Sequence, residues 1–78
     1  MKKRELFRTL ERRGPNGMMD ARRISHRIEL RNLNGDAEIT ESTIKQWIDE
    51  RPETAKIGIH LTDIDFKLIG RIIDPKRA

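Results

Sequence analysis

Nowhere along this chain do more than two apolar residues stand side by side, the longest runs being pairs such as Ile72-Ile73. A core must therefore be assembled from apolar residues spaced along amphipathic segments, and their spacing is the main guide to structure. A membrane span needs roughly 20 consecutive apolar residues, so no transmembrane helix is expected. The opening Met1-Lys2-Lys3-Arg4 has the charge of a signal peptide, but Glu5, Arg8, Glu11 and Arg12 occupy the place of its apolar stretch. A soluble, cytoplasmic protein with no membrane partner is the expectation. Its 78 residues make one small domain, 1–78. Stability should be modest, because a chain this size buries only about 60% of its unfolded surface. There is no cysteine, which removes disulfides, thiolate metal sites and cysteine nucleophiles together.

Leu6, Phe7 and Leu10 recur at helical spacing, with Arg4, Arg8 and Arg12 stepping by four on the opposite side. This predicts a helix over 3–13, stopped by Gly14-Pro15-Asn16-Gly17. A second helix is expected over 20–31, with Asp20 as N-cap, Ala21, Ile24 and Ile28 on one face, and no breaker inside. Its later half has a competing reading. Ile28-Glu29-Leu30 and Ala37-Glu38-Ile39 alternate around Asn34-Gly35, which is a hairpin signal. A third helix is expected over 41–51, capped by Thr40, burying Ile44, Trp47 and Ile48 and ending before Pro52. Residues 56–61 alternate like a short extended segment. A fourth helix is expected over 63–74, begun by Thr62 with Asp65 in a capping-box pattern. The predicted fold is mostly α, four helices and a short extended segment, with a small α+β arrangement as the alternative.

Apolar residues cover more than half of that last helix, more than one small core needs. That helix is therefore expected either to stand at the centre of the core or to form a homodimer contact through Ile64, Leu68, Ile69 and Ile72. Charge is unevenly placed as well. The chain carries a net +4, but residues 1–33 hold ten basic and four acidic side chains, whereas residues 34–78 hold seven and nine. Eight of the ten basic residues in the first part are arginine, whose planar fork suits phosphates and base edges. Such a basic half is the electrostatic footprint of a nucleic-acid binder.

Catalysis is hard to assemble from this inventory. Ser25 and His26 are neighbours and point about 100° apart on a helix, and no phosphate-binding loop is present. The protein is expected not to be an enzyme and to need no cofactor. His60 with Asp63 and Asp65 is the one metal candidate. The two acids are explained more cheaply as first-turn complements to a helix dipole, so no metal site is expected. Phe7, Trp47 and Phe66 all occupy apolar-face positions, which disfavours stacking on single-stranded bases relative to duplex binding.

The segment Ile39-Thr40-Glu41-Ser42-Thr43-Ile44-Lys45-Gln46-Trp47-Ile48 resembles the recognition helix of helix-turn-helix DNA-binding proteins. The resemblance spans 20–51 and implies a helix-turn-helix-like domain acting on duplex DNA. It further implies a transcriptional regulator of phage, plasmid or bacterial type, working as a dimer. Arg22, Arg23 and Arg27 would then lie near phosphates, and Ser42, Thr43, Lys45 and Gln46 would face a groove. The alternative is an inhibitor or adaptor without enzymatic activity. Its arginine stripes and apolar 62–74 helix would bind an acidic protein partner.

Overall fold

The computed structural model describes residues 1–76, and the protein is mostly helical. Five helices follow in order: α1 (Lys3–Glu11), α2 (Pro15–Ser25), α3 (Ile28–Arg31), α4 (Glu41–Ala55) and α5 (Asp63–Ile73). α1 packs chiefly on α2, and α5 packs on both α1 and α4. Leu6, Leu10, Ile24, Leu30, Ile39, Leu61 and Ile69 are fully enclosed, with Trp47 and Phe66 closing the core. None of the helices among the described residues is long and apolar enough to cross a membrane.

The first departure from the sequence reading is at Gly14-Pro15-Asn16-Gly17. It ends α1 as expected, but it also starts α2, so Asp20 lies inside the helix rather than capping it. Proline is well placed there, because the first helical residue has no use for an N–H. Gly14 precedes it with φ of 94°. Gly17 lies against α1, where a β-carbon would stand 1.9 Å from the Leu10 carbonyl oxygen. The glycine is what lets the two helices come this close.

The expected 20–31 helix is broken. α2 ends at Ser25, Arg27 is extended at φ −79° and ψ 139°, and α3 follows. Packing gives the reason. Ile24 and Leu30 are six positions apart and would stand about 120° apart on one unbroken helix. Both are fully buried, and the break turns Leu30 into the core that already holds Ile24.

No hairpin forms across Asn34-Gly35 either, although the turn itself is present, with the Asp36 N–H donating to Asn34 Oδ1. The extended 37–39 segment pairs with the first residues of the chain instead. The Lys3 N–H donates to the Ala37 carbonyl at 2.9 Å, and the Ile39 N–H to that of Met1 at 2.7 Å. This single bridge, Lys2 with Glu38, is the extent of β-pairing among the described residues.

α4 begins at the expected Thr40 cap, but it runs through Pro52 to Ala55. The proline is exposed, so the carbonyl it leaves without an N–H partner faces water rather than the core. Residues 56–61 make a turn with Gly58 at φ 72° and an irregular stretch in place of the expected extended segment. They find no neighbouring strand among the described residues, and only Leu61 is buried among them. At α5 the capping box is present as expected: Thr62 Oγ1 accepts from the Asp65 N–H, and Asp65 Oδ2 accepts from the Thr62 N–H.

Two further expectations concern burial. Ile48, assigned to the core, is 43% exposed. Of the four residues expected at a dimer contact, Ile69 is fully enclosed, while Ile64 is 71% exposed. Leu68 and Ile72 lie between these extremes. The exposure of Ile48 and of Ile64 has one cause. An apolar stripe wider than its neighbours can cover leaves its edges in water.

Candidate nucleic-acid interface

Arg23 leaves α2 and reaches α5. Its Nη2 stands 2.7 Å and its Nε 3.2 Å from Oδ1 of Asp65, whose side chain is fully buried. Nη1 also lies 3.3 Å from Asp20 Oδ1, one turn back on the same helix. The guanidinium is thus held by two carboxylates and serves as a tie between α2 and α5. Arg27 is partly buried, with its Nε enclosed and unpartnered. Of the three arginines expected at phosphates, only Arg22 is both exposed and without an acidic partner among the described residues.

The α4 residues divide in the same way. Thr43 turns back to the Thr40 cap, with its Oγ1 3.3 Å from the Thr40 N–H. Gln46 donates from Nε2 to Glu50 Oε1 at 3.1 Å. Ser42 and Lys45 are exposed and engage no described residue. The helix itself carries Glu41, Asp49, Glu50 and Glu53 against Lys45 and Arg51, a net −2. The partner of α4 in the core is α5, whereas α2 packs on α1 and α3.

Free cations are concentrated elsewhere. Arg8 lies on the outer side of α1, Arg12 and Arg13 follow in the turn, and Arg22 stands on α2. All four are exposed, and none has an acidic group within 4.0 Å among the described residues. Arg4 begins the same stripe but is paired with Asp36 at 3.1 Å. Lys3 is likewise engaged, donating to the Leu33 carbonyl at 2.6 Å and lying 5.7 Å from the Phe7 ring centre. The period-four spacing of Arg8 and Arg12 signalled their exposure. Nothing in the sequence signalled that Arg4 and Arg23 would be occupied, because Asp36 and Asp65 are brought to them by the fold.

Two shallow grooves flank α2. One, of about 210 Å³, runs between α1 and α2 and is lined by Phe7, Glu11, Met18, Ala21, Arg22 and Ser25. The other, of about 250 Å³, lies between α2 and α5 and is lined by Asp20, Arg23, Ile64, Lys67, Leu68 and Arg71. The candidate trio of His60, Asp63 and Asp65 does not come together. Asp65 is held by Arg23 and Asp63 by Arg51, and no three metal-binding groups converge among the described residues. No protein-family model matches the chain, and neither a curated protein nor a solved structure shows significant similarity to it.

Proposed function

We propose that this protein binds duplex DNA, with phosphate contacts made from the α1–α2 side by Arg8, Arg12, Arg13 and Arg22. The observation that carries the reading is that these four arginines are exposed and free of acidic partners among the described residues. A guanidinium with no internal partner gives up only water when it meets a phosphate, and it releases a counterion from the duplex. Arg23 is assigned to the α2–α5 tie rather than to DNA. Base-edge contacts in the helix-turn-helix manner would fall to Ser42 and Lys45, the two α4 side chains left unengaged among those expected there. A transcriptional regulator is the role such a module would serve.

The test is binding to a mixed-sequence duplex between about 50 and 200 mM salt. Four phosphate contacts should lower affinity about 100-fold over that range. The double variant R8A/R12A should flatten the logarithmic salt slope by about two. Absence of binding at low salt, or a variant with the original slope, would overturn the assignment. A protein-binding adaptor is the second reading, supported by the exposed apolar and cationic side chains of α5 around Ile64.

A further inference from the structure

The α2–α5 groove combines apolar and cationic character in a way the core does not explain. Ile64 is 71% exposed at its edge, and Leu68 is partly exposed beside it. Lys67 and Arg71 project from the same outer side of α5 and have no acidic partner among the described residues. The groove's acid, Asp20, is taken by Arg23, so it does not neutralise them. An occupant must therefore bring apolar side chains together with carboxylates.

The same chain offers such a surface elsewhere. The C-terminal half of α4 and the turn after it expose Ile48, Ile57 and Ile59, at 43%, 62% and 39%. Asp49 and Glu50 lie on that stretch, exposed and with no cation held against them among the described residues. An α5-on-α5 pairing would set Lys67 and Arg71 against their own copies, which like charge opposes. Pairing α5 with the α4 of a second molecule sets opposite charges together and covers apolar area on both sides.

We infer that two copies of this chain associate by seating the Asp49–Glu50 end of one α4 in the α2–α5 groove of the other. If the contact is made reciprocally, it closes as a two-fold dimer. It leaves Arg8, Arg12, Arg13 and Arg22 outside the interface, so their phosphate contacts and self-association are read separately.

Sedimentation velocity on the full chain without DNA tests this over a concentration series. The wild type should dimerise, and more weakly as salt is raised. K67E/R71E and D49K/E50K should each sediment as monomers, weakened by more than about 100-fold, because each places like charges together. All four positions are exposed, and circular dichroism should show both variants folded. Mixing the two variants should restore the dimer, since each supplies the charge the other now needs. A wild type that stays monomeric at every concentration would overturn the inference. So would a dimer indifferent to both reversals, or a mixture that fails to reassociate.

Discussion

Gly17 and Gly35 show how the same substitution is judged by what a new methyl group would meet. At Gly17 a β-carbon would press on the Leu10 carbonyl at 1.9 Å, and backbone cannot swing aside. Gly17→Ala should force α1 and α2 apart and cost about 2–3 kcal/mol, seen as a fall in Tm of 10 °C or more by the usual scaling for a domain this size, roughly 4–8 °C per kcal/mol. At Gly35 the nearest atom is the end of the flexible Arg4 side chain at 3.3 Å, so Gly35→Ala should leave Tm nearly unchanged. Arg23 poses a different question. Arg23→Ala would leave the enclosed Asp65 carboxylate with the Thr62 N–H and no cation. Breaking a buried pair costs about 3–5 kcal/mol, and the partial exposure of Arg23 lowers the expectation to about 2–3 kcal/mol by chemical denaturation. Arg23→Lys should restore part of this, as a point charge replacing a fork. The sequence showed both glycines and both charges. It did not show which glycine faced a backbone or which arginine faced a buried acid.

At the scale of the elements, the two helix starts marked by a threonine cap were more legible than the end of α4 or the break after α2. Thr40 and Thr62 begin α4 and α5 because a cap is made within four residues, by side chain and backbone together. Thr62→Ala should cost about 1 kcal/mol, and Thr62→Ser should keep most of it, as judged by Tm. The ends respond to more distant forces. α4 passes through Pro52 because the lost hydrogen bond falls on the solvent side. Pro52→Ala should restore that bond. Set against the greater freedom of the unfolded chain, it should stabilise the protein by about 1–2 kcal/mol. A lower Tm for this variant would mean that Pro52 is held by contacts outside the helix. The break between α2 and α3 has no breaker residue to announce it. It exists because Ile24 and Leu30 must enter one core from a chain that would otherwise point them apart.

The whole molecule separates the residues that hold it together from those free to bind. Arg8 and Arg12 touch no acid among the described residues, so R8A/R12A should change folding stability by less than about 0.5 kcal/mol. The same variant should reduce the salt slope of DNA binding, and the contrast distinguishes a binding surface from a structural one. Apolar spacing, the Gly14-Pro15 break and the two threonine caps were enough to determine a small, mostly helical protein with an arginine-rich first half. These are short-range facts, set by residues within a turn or two of one another. Which cations are free was decided by the tertiary structure alone. Asp36 reaches Arg4 from 32 positions away and Asp65 reaches Arg23 from 42, while Arg8 and Arg12 meet no acid among the described residues. An ion pair depends on distance in space, and over such separations the folded chain, not its order of residues, sets that distance.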